Sequence, residues 1–479
     1  MKNLVLLVVL ATTLAALSLK AGWIKTYGGE NNESGRVIQE TSDGGYVVFG
    51  NIVSPAGSSD IWLVKTDAQG DTLWTKTYGG QALAYCYSGQ QTKDGGYILA
   101  GYIEGAGAGA EDIWLIKTDP EGDTQWTKAY GGYGYDEAYS IQQTDDGGYI
   151  VTGTHDGLTD PWSGDMWLLK TDSDGDTLWT KTWAAENPIM TDAGNCVSQT
   201  SDGGYIIACY ADFSAATYDG IVVMKTDDKG DTVWAYRDTI WFMECVAQTT
   251  DDAYVATGVN NNDMFLIKLD SEGTLLWKKV YGDAKQDYRD FGWCVQRTPD
   301  GGCVVAGQYS SYWTEYSSEG GDVWLLKFDS DGDTFWTRTY GEDAQIDEAY
   351  WVQPTSDGGY ILTGSTETWA SAGSDLFLMK TDSEGLIDAI EEKQIAETDR
   401  DWQITSSIGR EIVLSYTDHP HGFHAKVFDA SGRKVDEIHA VGESGTITWG
   451  KCYGCYGPGV YFIKPEWDNA TPQKVVLIR

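Results

Sequence analysis

Positive charge is scarce in this chain. Its 479 residues carry 33 Lys and Arg against 72 Asp and Glu, a formal net charge of −39. Such a surface repels nucleic-acid phosphate and anionic membrane, so DNA and RNA are excluded as partners. Histidine is scarcer still, and His155 is the sole one before the C-terminal eighty or so residues. A Ser-His-Asp triad or a histidine-based metal site confined to that region is poorly supported. Segments of helical period are few. Long apolar runs are missing except at the front, where Lys2 precedes an apolar run from Leu4 to Leu17. This is the pattern of a secretory signal, short for a membrane span and followed by no second run. Residues 1–20 are therefore expected to be a signal peptide, cleaved between Ser18 and Gly22. No Cys stands there for lipoprotein processing. The mature chain is expected to be secreted or at the outer cell surface, without a transmembrane segment.

Turn formers and aromatics fill the rest: 58 Gly, 21 Trp and 29 Tyr. That is the composition of an all-β protein. The stretch from Asp165 to Trp179 reads as two strands joined by a tight turn, and versions of it recur. The Trp that closes each copy falls at Trp74, Trp126, Trp179, Trp234, Trp277 and Trp336. A spacing of about fifty residues marks a propeller or similar array. A seventh equivalent, Trp23, stands alone at the front, while the last repeat, Asp375 to Asp382, has no Trp. The front strand has what the last repeat lacks, which suggests a ring closed by its two ends.

Each repeat carries four strand signals. In the third they are 139–144, 149–153, 166–171 and 177–182, with Asp146-Gly147 as the tight turn of the first hairpin. Third strands such as Ile61-Trp62-Leu63-Val64 are apolar on both faces, as in sheets buried between neighbours. The expected fold is an all-β, seven-bladed β-propeller at 21–385, closed by the N-terminal strand. The recurring Trp is expected to pack blade on blade. First strands carry small side chains at Ser88, Ser140, Cys196, Cys245 and Cys294, which suits a crowded axis.

Binding on such a ring is expected on the face with variable loops. Its aromatic and acidic residues include Tyr133, Tyr135, Asp136, Trp162, Trp241, Asp287, Tyr288, Tyr312 and Trp313. Trp or Tyr beside Asp or Glu grips sugars by stacking and by accepting hydroxyl donors. The bland alternative is that these residues pack the loops onto the blades. No cofactor is expected. Turns such as Asp172-Ser173-Asp174-Gly175-Asp176 have the charge density of calcium loops, but they lack the Glu that completes an EF-hand loop, and Asx capping is the plainer reading.

Disulfides suit an exported chain. If Asp202-Gly203 is a two-residue loop, Cys196 falls opposite Cys209 with Cα atoms about 4.5 Å apart, near the short limit for a bond. Cys452-Tyr453-Gly454-Cys455 is a separate Cys-x-x-Cys, expected to be a small loop disulfide or two thiols.

Residues 386–400 read as a linker and 401–479 as a small immunoglobulin-like β-sandwich. Within it, Val427 to Val435, Gly457 to Phe462 and the closing Lys474 to Arg479 resemble the C-terminal sorting domain of type IX secretion substrates. That domain's usual Asn-Pro is missing. The resemblance implies export machinery as a partner and the module as an address tag. His419, His421 and His424 cluster beside Pro420 and are expected to form a solvated turn. The function these features favour is binding or adhesion outside the cell, to an extracellular glycan or protein. The alternatives are a secreted glycan-active hydrolase using loop carboxylates and a structural surface component.

Overall fold

The computed structural model describes residues 22–29, 31–53, 57–80, 82–105, 109–156, 164–183, 192–211, 220–238, 242–260, 262–282, 288–314, 317–342, 345–370, 373–387, 402–406, 408–409, 412–416, 423–429, 433–441, 444–449, 459–465 and 473–477. The chain divides into two compact units, Met1–Asp388 and Ala389–Arg479. Every regular element among the described residues is a strand. No helix is long and apolar enough to cross a membrane.

The first unit is built of propeller-like repeats of four-stranded antiparallel sheet. One such sheet holds Asp136–Gln143, Tyr149–Asp156, Gly164–Thr171 and Thr177–Trp183 in that order. Sheets I to VII begin with Glu33–Glu40, Ala84–Gln91, Asp136–Gln143, Asp192–Gln199, Phe242–Gln248, Tyr288–Arg297 and Asp347–Pro354. Sheet VI carries an extra short strand, Ser317–Glu319. Sheet VII takes its fourth strand from the front of the chain. Trp23–Tyr27 pairs antiparallel with Asp375–Thr381, with Trp23 opposite Lys380 and Tyr27 opposite Leu376. Each sheet packs on the next, and sheet VII packs on sheet I.

The recurring Trp explains that packing. In every sheet the fourth-strand Trp lies over the glycine in the third turn of the next sheet. Trp126 covers Gly175, and Trp23 covers Gly70. Gly175 has a φ of 79°, and a Cβ there would come within 2.9 Å of the Trp126 ring. Only glycine fits such a position. The same strand adds two polar ties: Tyr78 donates to Gly122 O at 2.7 Å and Lys76 pairs with Asp123 at 2.6 Å. Tyr27 and Lys25 make the matching ties to Gly70 and Asp71. Trp126 also meets Tyr149 of its own neighbour edge-on, ring centroids 6.0 Å apart, as Trp23 meets Tyr46 at 5.9 Å.

A buried lysine stands under every first hairpin. Lys170 donates to Thr171 O at 2.9 Å and pairs with Asp146 at 3.0 Å. Lys65 with Asp43, Lys117 with Asp94, Lys225 with Asp202, Lys268 with Asp251, Lys327 with Asp300 and Lys380 with Asp357 repeat the pair. This bond joins the turns after the first and third strands at one end of the unit. A glutamine relay ties first strands together near that end. Gln39 accepts from Gln91 N at 2.7 Å, Gln90 from Gln143 N at 2.8 Å, and Gln353 from Glu40 N at 2.6 Å.

The first hairpins differ from the expected two-residue turn. Thr200 N donates to Gly204 O and Gly203 N donates to Thr200 O, both at 2.9 Å, and Gly203 has a φ of 84°. This is a type I turn closed by a left-handed glycine, one residue longer than expected. A one-residue change of register moves every pairing. Cys196 therefore faces Ala208, and Cys209 faces Gly194. Both thiols are buried and free, so the expected Cys196–Cys209 opposition does not occur. Cys196 Sγ instead lies 3.7 Å from Cys245 Sγ of the next sheet. Cys452 and Cys455 lie outside the described residues.

The second unit has a three-stranded sheet, Trp402–Ser406, Ile412–Tyr416 and Gly445–Trp449, and a five-stranded sheet that includes Phe423–Asp429 and Gly459–Pro465. Leu414, Tyr416, Phe423, Val427, Trp449 and Ile463, drawn from both sheets, form one apolar core. His419 and His421 lie outside the described residues, and His424 meets His439 of the neighbouring strand, Nδ1 to Nδ1, at 2.8 Å.

Two outcomes follow for the first unit. Trp23→Ala should lower stability in urea unfolding by about 2–3 kcal/mol, as much as Trp126→Ala, because both rings cover the same kind of turn. A terminal strand that merely frays would show almost no loss. Burial opposes the charge of Asp43, but hydrogen bonds from Thr41, Gly45 and Lys65 and the Lys65 charge outweigh it and hold the carboxyl at about 2. Asp202 is held at about 2 in the same way. Such a group stabilises the fold above its unfolded value, near 4, and that contribution is lost as pH falls toward about 2. Unfolding midpoints should drop over that window, and less steeply in an Asp43→Asn, Asp202→Asn variant.

Candidate ligand-binding mouth

First strands of consecutive sheets touch one another, and they line an axial cavity of about 210 Å³. Every first strand also carries a β-bulge. The break in register falls between Gly35 and Val37, Cys86 and Ser88, Ala138 and Ser140, Gly194 and Cys196, Met243 and Cys245, Gly292 and Cys294, and Ala349 and Trp351. A bulge leaves one residue unpaired and re-aims its side chain. The seven residues so placed are Arg36, Tyr87, Tyr139, Asn195, Glu244, Trp293 and Tyr350. All are half-buried. They sit toward the end of the first strands where the longer loops join.

These side chains meet round the axis. The Arg36 guanidinium carbon lies 4.2 Å from the Tyr350 ring centre and 5.2 Å from that of Tyr85, and Arg36 donates to the Tyr85 hydroxyl. Tyr87 meets Tyr139 edge-on at 5.0 Å. Trp293 meets Tyr350 at 6.0 Å and stacks flat on Phe291 at 4.8 Å with a 4° tilt. Asn195 donates to Met243 O at 2.9 Å and reaches Glu244 at 3.5 Å.

The ring has two parts. From Tyr350 through Arg36 to Tyr139 its groups meet one another, although the buried Arg36 Nε has no hydrogen-bond partner among the described residues. Tyr350 donates to Glu348. Burial raises the Glu348 carboxyl, while Tyr350 and Arg36 pull it back in part. Glu111, beside this arc, is pushed up to about 7 by burial and then by its hydrogen bond and charge contact with Glu137. From Asn195 through Glu244 to Trp293 the arc is open. Burial alone pushes the Glu244 carboxyl up to about 7, and among the described residues the Asn195 amide is what meets it.

The residues expected from sequence are placed differently. Tyr133 and Tyr135 are exposed, at 76% and 40%, and Tyr135 bridges to Glu111. Asp136 is fully buried; it bonds His155 and accepts from Gly132 N at 2.7 Å. It fixes a loop and presents nothing to a ligand. Tyr288 and Tyr312 stand opposite each other in register, and Trp313 opposite Ser318. Trp162, Trp241 and Asp287 lie outside the described residues. Asp172 accepts from Asp174 N at 3.0 Å and Asp176 N at 2.8 Å. Asp67, whose turn lacks the middle acid, makes the same two bonds. Among the described residues no three His, Cys, Asp or Glu converge as a metal site.

No protein-family model and no curated protein matches the sequence. Similar solved structures include a protein of unknown function from Bacteroides caccae, 14% identical over 60% of this chain and 94% of its own, TM-score 0.37. PorZ, a surface component of the type-IX secretion system of Porphyromonas gingivalis, is 10% identical over 95% of this chain, TM-score 0.46; the chain spans 60% of PorZ's length. Sqt1 from Chaetomium thermophilum is 12% identical over 72% of this chain and 83% of its own, TM-score 0.41. All are distant likenesses.

The raised Glu244 carboxyl has a consequence for stability. A carboxyl that holds its proton more tightly when folded stabilises the fold below its unfolded value, near 4.3, and loses that as pH rises through about 7. Glu244→Gln should therefore gain about 1–3 kcal/mol on wild type between pH 5 and pH 8 in urea unfolding. Parallel pH profiles would place Glu244 in water.

Proposed function

We propose that the chain is an exported binding protein: a seven-bladed β-propeller that holds an extracellular glycan or protein at its axial mouth, followed by an immunoglobulin-like sorting module. The observation that carries this reading is the ring of bulges. Strand lengths, turns and inter-sheet contacts repeat almost unchanged from sheet to sheet, yet the bulged position is Arg, Tyr, Tyr, Asn, Glu, Trp and Tyr in turn. Structure alone needs no such variety at one place. Half-buried aromatic, amide and carboxylate groups around one axis make a specific recognition surface. The apolar run at 4–17 supports passage through a first membrane. The likeness of 427–435, 457–462 and 474–479 to type IX sorting domains supports display outside the cell.

The full chain should be screened against extracellular glycans and proteins, with product release followed in parallel. Retention without turnover is expected. Trp293→Leu should weaken it tenfold or more, whereas Tyr133→Ala on the exposed loop should leave it unchanged. Retention indifferent to Trp293 and to Glu244 would move the site off the mouth, and product release would make the chain a hydrolase.

A further inference from the structure

We propose that the open arc of the mouth, Asn195, Glu244 and Trp293, receives a guanidinium or alkylammonium group of the bound partner. This rests on the mouth being the binding site. The argument comes from the other arc, which already holds a cation. There the Arg36 guanidinium sits 4.2 Å from the Tyr350 ring and 5.2 Å from the Tyr85 ring, in the field of the Glu348 carboxylate. A cation over aromatic faces beside a carboxylate is a favourable combination. The open arc has the same parts. Trp293, stacked on Phe291, continues the aromatic wall that Tyr350 begins. Glu244 is the bulged residue of the next sheet round. Asn195 adds an amide beside it. Among the described residues no charged group meets Glu244, so the member to be supplied is the cation.

Charge decides among ligand classes. The mouth gathers Glu244, Glu348 and, near its rim, Glu111 and Glu137 around Arg36. The whole chain adds a net charge of −39. Anions are repelled and cations are steered in. A neutral sugar would stack on Trp293 but would leave Glu244 without a counter-charge. An entering cation supplies one, and it favours the ionised carboxylate over the protonated form that burial promotes.

The test uses the full chain and calorimetric titration with Nα-acetyl-arginine amide and its uncharged isostere, Nα-acetyl-citrulline amide. Saturable binding of the first is expected, with the second at least tenfold weaker. Glu244→Gln should weaken the arginine probe at least tenfold and Trp293→Phe by no more than a few-fold, with Trp293→Phe melting like wild type and Glu244→Gln at or above it. Binding should weaken from pH 8 to pH 6 in wild type and not in Glu244→Gln. Butylguanidine and butylamine form a second arm. If they match the arginine probe, the cation alone is recognised; a tighter arginine probe marks a peptide partner. Equal binding of the citrulline compound, or no binding of any cation, overturns the inference. If neutral glycans are then retained through Trp293, the mouth stands and its cation selectivity falls. If no ligand from the wider screen depends on Trp293 or Glu244, the mouth itself is not the site.

Discussion

A tryptophan laid over a glycine holds each sheet of the first unit to the next. The glycine is left-handed and bare and the ring above it is broad; at junctions such as those of Trp23 and Trp74 a tyrosine and a lysine on the same strand also bond the turn from the side. The contact of Trp with Gly is made at every junction, including the one where Trp23 reaches Gly70. That last case matters most. Trp23 belongs to a strand paired with the end of the repeat region and covers a turn near its start. Sheets buried on both faces have no stable exposed side, so the terminal faces must cover one another. The glutamine relay, which brings Gln353 to Glu40, makes the same closure by separate atoms.

Much of this was legible in the chain itself. The Trp spacing gave the sheets, and the unmatched Trp23 pointed to the pairing found with Asp375–Thr381. What escaped were shifts of a single residue. The hairpin at Thr200 to Gly204 carries one residue more than the two its Asp-Gly pair suggested, and this separates Cys196 from Cys209. The bulges are invisible to an alternating pattern, because an extra residue in a strand buried on both faces breaks no visible rhythm. One signal was present. The residue at the bulge is large or polar in every repeat, from Arg36 to Tyr350, whereas the residue before it is Gly, Ala, Cys or Met. The acidic loop residue Asp136 misled for a related reason: composition does not reveal that His155 and Gly132 already occupy it.

The repeat thus separates two jobs. Lysine–aspartate pairs and glutamine amides knit one end of the unit and hardly vary. Sheets IV and V depart, with Ser198 and Ala247 where other first strands have Gln, and with Cys196 against Cys245. Those two sheets also carry Asn195 and Glu244, at the open arc. Regularity at one end lets the other end differ without disturbing the packing.

The pairing of Trp23 with Lys380 joins residues 357 positions apart, 380 less 23. Loop closure over such a distance is slow, and the front strand must wait for the last repeat before it has a partner. Until then the chain has two unpaired ends and no complete unit. A chain that joins its two ends last completes the unit only when all of its repeats are in hand.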